Sequence, residues 1–271
     1  MAPWLDMQND LIFDVGMHSG LDARFYLGKG FRVVAVEANP SLVEKAKVEF
    51  KADMDAGRLF IIDKAIAAQD GTVRFHVNRR NPEWSTISQS RADHNDSQGF
   101  GSDAIDVPSV RLATLLDRFG TPYYLKIDIE GADALCLEQL LGRAEQPRYV
   151  SVECSVPDFE ATFALLAMLY SAGYRRFKLL NQDLNHRIRL PNPAREGRYF
   201  DYRFVRGTSG PFGEETPGEW SGVERLLDAY RRAHRRERLF KTNKHVRRLY
   251  RSLTRVMPLE PAGWYDIHAA R

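Results

Sequence analysis

The sequence predicts an α/β fold built on a doubly wound, mostly parallel sheet, with a helical extension toward the C-terminal end. Three observations carry this. Residues 11–40, LIFDVGMHSGLDARFYLGKGFRVVAVEANP, pass from an apolar strand through two glycines into a short helix and out along a β-branched strand, which makes one βαβ unit. Strand-like and helix-like runs then alternate as far as residue 206. From Ser221 onward, apolar residues recur at helical spacing.

In the first unit, Leu11-Ile12-Phe13 ends at Asp14, and Gly16 and Gly20 open the turn. A helix follows from about Leu21 to Lys29, Gly30 stops it, and the strand Arg32–Val36 closes on Glu37. Glycines let a ligand approach the backbone, and a carboxylate ending the second strand can accept hydrogen bonds from both hydroxyls of a ribose. The unit is therefore predicted to bind a nucleoside through Asp14, Gly16, Gly20 and Glu37. Its spacing, Asp14-x-Gly16-x-x-x-Gly20, differs from the G-x-G-x-x-G that seats a pyrophosphate on a helix N-terminus. Asp14, Glu37, Asp63, Asp128 and Glu130 are expected along one edge of the sheet. Such a rim repels a diphosphate and suits a ligand bearing a sulfonium and an ammonium, which is S-adenosylmethionine. Asp22 either favours the helix dipole or reaches the cleft mouth. Asn39-Pro40-Ser41 starts the second helix, with Ser41 as N-cap, Glu44 completing a capping box, and Asn39 beside Glu37 on the cofactor side.

Farther along, residues 58–66 read as the third strand and residues 72–78 as an edge strand. Residues 79–106 are polar and long, hence a mobile lid or a disordered insertion, in which Trp84, Ser85 and Thr86 are candidates to touch the cofactor. Residues 107–119 read as a helix. Residues 123–131, YYLKIDIEG, read as the fourth strand, with Lys126, Asp128 and Glu130 alternating onto one face. Charges there are costly to bury unless paired or functional. Either Lys126 neutralises Asp128, or Asp128 and Glu130 face the reacting end of the cleft. Residues 149–154 form the fifth strand, with Glu153 on the acidic edge. A helix over 157–172 is expected to bury Phe159, Phe163, Leu166 and Tyr170. Residues 175–181 and 201–206 read as the last two strands, with Asn181, Gln182 and Asp183 as acceptor contacts. The Gly/Pro-rich residues 208–220 make a loop over the cleft or a linker.

The runs DVGMHSG, FYLGKGFRVVAVEANP and YLKIDIEGAD resemble the FkbM family of S-adenosylmethionine-dependent methyltransferases over about residues 10–220, with an echo in GWYDIHA near the C-terminus. The resemblance implies a class I methyltransferase Rossmann-like sheet whose last two strands form an antiparallel hairpin. It implies O-methylation of a small molecule, sugar or secondary metabolite. It also implies Asp63 and Ala65 at the adenine edge, a hydroxyl-bearing stretch at Ser85 near the cofactor, and a lid role for residues 208–220. Where many members have Asn in the glycine loop, this chain has His18. Methyl transfer to an alcohol calls for a base, and His18, His268, Asp128, Glu130 and Glu153 are the candidates. A Mg²⁺ ion on Asp128, Glu130 and Glu153, chelating a diol, is a variant ranked below the metal-free arrangement.

The 271 residues are 44% hydrophobic and 28% charged, as in globular proteins, and no run approaches 18 consecutive apolar residues. The N-terminal residues lack the basic and apolar regions of a secretory signal, and Cys136 and Cys154 read as buried free thiols; both features suit the cytoplasm. The net charge of +3 hides an asymmetry, because residues 221–255 carry 12 Lys/Arg against Glu224, Asp228 and Glu237. This divides the chain into a cofactor-binding domain, residues 1–220, and a basic amphipathic tail with an aromatic end, residues 221–271. The tail can pack on the body, form a homodimer with a second copy, or lie on an anionic surface. Nucleic acid ranks below these, since no stacking aromatics interleave with the arginines. GWYDIHA is expected to fold back and bring His268 or Asp266 near the cleft. The competing reading is a nonenzymatic S-adenosylmethionine-binding or oligomerising scaffold. A nicotinamide dehydrogenase is excluded by the missing phosphate loop.

Overall fold

The apolar run after Gln8 forms an inner strand of the sheet in a computed structural model that describes residues 8–156, 158–242, 248, 250 and 263–271. In chain order the first half comprises β1 (Gln8–Val15), α1 (Leu21–Gly28), β2 (Arg32–Glu37), α2 (Pro40–Glu49), α3 (Lys51–Asp55), β3 (Leu59–Asp63), β4 (Ala65–Ile66) and β5 (Gly71–Asn78). The second half comprises α4 (Gln89–Ser97), β6 (Ser102–Val110), α5 (Leu112–Phe119), β7 (Pro122–Ile127), α6 (Asp133–Glu138), β8 (Tyr149–Cys154), α7 (Phe159–Ser171), β9 (Arg176–Asn181), α8 (Val223–Thr242) and β10 (Tyr265–Ala270).

Seven strands form the main sheet in the order β3-β2-β1-β7-β8-β10-β9. Every neighbouring pair is parallel except the two that β10 makes with β8 and β9. Both faces of the sheet are covered, so the central strands are apolar almost throughout. Phe13, Val34, Leu125 and Val150 point into one core with Leu112, Leu116 and Leu169. Ile12, Val33 and Tyr124 point into the other with Phe25, Tyr26 and Phe212. The alternation follows from the two-residue period of a strand.

Several sequence expectations are corrected. The strand expected over 58–66 breaks at Lys64, whose N–H donates to Glu37 O at 3.1 Å; β3 stays in the main sheet, while β4 joins a second, three-stranded sheet, β4-β6-β5. The supposed edge strand is β5 of that second sheet, paired antiparallel with β6 from Gly71 to Asn78. Residues 79–106 are therefore no structureless insertion: they hold a 3-10 turn at Pro82–Trp84, α4 and most of β6. The helix expected over 107–119 begins only at Leu112, because Val107–Val110 belong to β6. In α7 the buried face is Thr162, Leu165, Leu166 and Leu169, whereas Phe159, Phe163 and Tyr170 are exposed.

The largest correction concerns the end of the sheet. Residues 201–206 form no strand. β8 and β9 run the same way and cannot close a hairpin with each other, and β10 lies between them, antiparallel to both. A strand from beyond residue 220 thus completes the sheet. Tyr202 and Phe204 instead pack on Phe25, with ring centroids 5.3 and 5.0 Å away.

The expected lid over 208–220 is for the most part an anchor. Phe212 stacks on Tyr124 at 4.7 Å, and Glu215 forms a 2.7 Å ion pair with Lys29 in which both side chains are fully buried. Removing one partner of such a pair leaves a charge without compensation. Glu215→Ala is expected to destabilise the fold by about 3–5 kcal/mol in urea unfolding, with Lys29→Met/Glu215→Leu recovering most of the loss.

Helix α8 packs on the body through Leu226, Tyr230 and Ala233, and the Tyr230 hydroxyl donates to Ser155 O at 2.7 Å. Val246, Leu249, Leu253, Val256 and Pro258, assigned to the tail helix and its end, lie outside the described residues. Among the described residues, no helix is long and apolar enough to cross a membrane.

Candidate active site

The turn after β1 is locked by its glycines. Gly16 has φ 89°, and a Cβ there would lie 1.9 Å from the Asp128 carbonyl oxygen. The Gly16 and Met17 N–H groups both donate to Val36 O at 3.0 Å. This path carries His18 into the left-handed region, at φ 49°, and aims its N–H at Glu37 Oε2, 2.7 Å away. The Asn39 N–H donates to Glu37 Oε1 at 2.8 Å. Burial raises the Glu37 pKa, and these N–H groups pull it back. The side chain of Asn39 accepts from Ser41 N at 3.1 Å, so Asn39, not Ser41, is the N-cap of α2.

Gly16, His18 and Glu37 open onto a cavity of about 390 Å³, within the range of small-molecule sites. Ala65, Ile66 and Phe75 give it apolar lining, Ser85 and Trp84 come from the segment after β5, and Asp128, Glu130 and Glu153 add three carboxylates. The Ser85 hydroxyl accepts from Asn78 N at 3.1 Å. Gln182 and Asp183 also line the cavity, as expected from the sequence, whereas Asn181 is buried away from it.

Thr86, whose hydroxyl donates to Glu130 O at 2.8 Å, does not line the cavity, and five further assigned positions fall outside it. Asp14 is fully buried beneath the glycine turn, with Oδ1 3.0 Å from Lys126 Nζ. Gly20 caps α1 rather than facing the cavity. Asn39 acts through its N–H on Glu37. Asp63 is exposed and lies 3.6 Å from Lys47. His268, on β10, faces Ser151 of β8 and Lys178 of β9. Two strand spacings, roughly 10 Å, separate it from Lys126. Burial, with Lys178 adding to it, depresses its pKa to about 3, so it stays neutral, and it does not line the cavity. Asp266, the other residue expected near the cleft, is buried opposite Glu153 and does not line it either.

The acidic end is a loop, not a strand. β7 stops at Ile127, and Glu130 adopts φ 53°. The Asp133 carboxylate holds this turn by accepting from Ile129 N at 3.1 Å and Gly131 N at 3.0 Å. Ligand atoms of Asp128, Glu130 and Glu153 all lie within 4.8 Å of one another. The Arg91 guanidinium of α4 hydrogen-bonds Glu130 and lies 4.0 Å from Glu153. It already supplies positive charge where a Mg²⁺ would bind, and the arrangement gives a metal no support. Burial pushes the Glu130 pKa up to about 7; Arg91 opposes this, while Asp128 and Asp133 add to it. Burial, then Glu130 and Asp128, raise that of Glu153. Burial lowers the His18 pKa. The cavity thus holds a carboxyl poised near neutrality and an imidazole kept neutral by burial.

Sequence reasoning missed Lys64, Glu83, Arg206 and Trp264 at the cavity. The Arg206 guanidinium stacks over the Trp264 ring at 4.7 Å. These two come from distant segments, and the aromatic density of GWYDIHA was the signal in the sequence for Trp264.

The family described as "Methyltransferase FkbM domain" matches residues 14–176. No curated protein matches the chain in sequence. Among solved structures, it is similar to a methyltransferase FkbM from Methylobacillus flagellatus KT, with 13% identity, a TM-score of 0.42 and coverage of 64% of this chain and 40% of that one. It is also similar to a precorrin-6y C5,15-methyltransferase from Geobacter metallireducens GS-15, with 12% identity, a TM-score of 0.36, and coverage of 64% and 67%.

Proposed function

The chain belongs to the FkbM methyltransferase family, and from that premise we propose that it transfers a methyl group from S-adenosylmethionine to a hydroxyl of a small molecule or glycan. The observation that carries the donor is Glu37. Each of its oxygens is held by one backbone N–H, at 2.7 and 2.8 Å, at the edge of the cavity. A carboxylate has about four acceptor positions, so two remain for vicinal ribose hydroxyls. Ala65, Ile66 and Phe75 offer an apolar slot for the base. Gly16 lets the Asp128 backbone pack against the turn, and Asp128 faces the cationic half.

When bound, S-adenosylmethionine supplies an electrophilic methyl carbon on a charged sulfur. The residues of the chain then have two tasks. The cavity walls hold the acceptor in line and exclude water, an effect that can contribute ~7–11 kcal/mol. Glu130 removes the hydroxyl proton, since a carboxyl titrating near 7 is matched to a general base at neutral pH. Gln182, Asp183 and Trp264, which line the same cavity, are the acceptor contacts in this reading. Two buried free thiols, Cys136 and Cys154, suit a cytoplasmic setting.

Calorimetry with S-adenosylmethionine, S-adenosylhomocysteine and NAD tests the donor. The first two are expected to bind and the third to give no heat. Glu37→Ala is expected to weaken S-adenosylmethionine by ~10²-fold or more, because hydrogen bonds to a charged group contribute ~1.5–3 kcal/mol each. Unchanged affinity in Glu37→Ala would remove the assignment. Transfer of labelled methyl to a panel of sugars and hydroxylated metabolites tests the acceptor; donor binding with no transfer to any of them favours the scaffold.

A further inference from the structure

Lys126 is placed to do more than neutralise one neighbour. Its ammonium lies 3.0 Å from Asp14 Oδ1 and 2.9 Å from the Gly16 carbonyl oxygen, and the residue is only 3% exposed. Asp22 Oδ2 is 3.6 Å away and Asp128 Oδ2 is 3.8 Å away. These groups come from the end of β1, the glycine turn, the first turn of α1 and the loop after β7. Asp22 extends the connection, since both its oxygens accept from Ser209 N, at 3.0 and 3.1 Å. Arg206 and Gly207, just before that residue, line the cavity.

The charges do not cancel. One ammonium faces three carboxylates, of which Asp14 and Asp22 are buried and Asp128 is half-buried at the cavity. Burial works against the Lys126 charge, yet Asp14, Asp128 and Asp22 together hold its pKa well above the ordinary value. The glycine turn is fixed on its amide side by Val36 O and on its carbonyl side by Lys126. The nucleoside half of the cavity, at Glu37, Ala65 and Phe75, receives no hydrogen bond from this ammonium, which acts on Glu37 only through space.

We propose that Lys126 is a positioning residue for the methyl donor: by holding the Gly16 carbonyl and sharing its charge among Asp14, Asp22 and Asp128, it sets the wall that reads the amino-acid half of the ligand. This rests on S-adenosylmethionine as the donor. Removing Lys126 should therefore split affinity by ligand, harming S-adenosylmethionine and sparing adenosine, which lacks the amino-acid half. A purely structural lysine would affect both alike.

The test is calorimetry with S-adenosylmethionine and with adenosine, alongside thermal melts, on the wild type, Lys126→Met and Asp14→Asn/Lys126→Met. The double variant removes the ion pair as a unit and keeps the test open if Lys126→Met fails to fold. S-adenosylmethionine is expected to weaken about tenfold or more in each folded variant, as loss of a charge-assisted hydrogen bond implies. Adenosine should stay within about twofold, the factor that a few tenths of a kcal/mol produces. The double variant should regain thermal stability over Lys126→Met without regaining donor affinity. Equal loss for both ligands in the double variant, or wild-type donor affinity in it, overturns the positioning role alone. A folded wild type that ignores S-adenosylmethionine overturns the donor assignment and the role with it.

Discussion

Glu130→Gln is expected to lower kcat by ~10²–10⁴-fold, the usual contribution of a positioned base, while making the folded protein more stable at alkaline pH. Both effects have one cause. Burial holds the Glu130 carboxyl at about 7, above its ordinary value of 4.5. Between those values the folded chain binds a proton that the unfolded chain has released. Ionising Glu130 therefore opposes folding: the effect is absent below about pH 4.5, grows as pH rises, and is complete above about 7. Its full size is about 3 kcal/mol, at about 1.4 kcal/mol for every tenfold change in proton affinity. Gln keeps the shape and removes the charge, and Arg91 retains Glu153 at 4.0 Å. Melts of the two proteins at pH 5 and pH 8.5 check the stability claim, with a gain for the variant expected only at the higher pH. The same carboxyl gives wild-type kcat a rise through about pH 7. A variant that keeps its rate, with a flat pH profile in the wild type, would move the base elsewhere in the site.

Gly16→Ala is expected to abolish measurable donor binding and to lower the melting temperature by about 4–20 °C. A side chain at φ 89° carries strain of roughly 1–2 kcal/mol. The added carbon would lie 1.9 Å from the Asp128 carbonyl oxygen, a backbone atom that cannot turn aside as a side chain would. Overpacking of this kind costs ~1–3 kcal/mol. The sum, about 2–5 kcal/mol, gives the shift in melting at roughly 2–4 °C per kcal/mol. Relief of the clash must push the glycine turn away from Asp128, which separates the two sides of the proposed methionine pocket. Gly57→Ala is the control, because Gly57 has φ 67° and an added methyl group there would meet nothing within 4 Å. It should show the strain alone, and donor binding by calorimetry should be unchanged. If Gly16→Ala binds the donor normally, the turn is no part of the ligand wall.

The order of the first βαβ unit was legible because each of its signals is local. Apolar residues 11–13, Gly30 and the β-branched run to Val36 set strand, stop and strand within 30 residues, and Gly16, His18 and Glu37 come together as a consequence. Glu153 was also legible, as an acid near the end of a buried strand, whereas Glu130, read as strand, sits on the loop after β7. His268 was misplaced for a different reason. In isolation an imidazole in an aromatic segment looks chemical, but its role depends on which strands flank it, and β10 sits between β8 and β9. Of the stripe Phe159, Phe163, Leu166 and Tyr170 only Leu166 is buried: α7 carries apolar residues on more than one side, and only its neighbours decide which side is buried.

By itself, then, the sequence determined the glycine turn, the acid that ends β2 and the family to which they belong, since these depend on backbone conformations and spacings within one short stretch. The tertiary structure alone decided that Lys126 serves Asp14 and the Gly16 carbonyl, that a C-terminal strand completes the sheet, and that Arg91 meets Glu130. Those are contacts between residues far apart in the chain, where burial and charge are set by whatever the fold brings alongside.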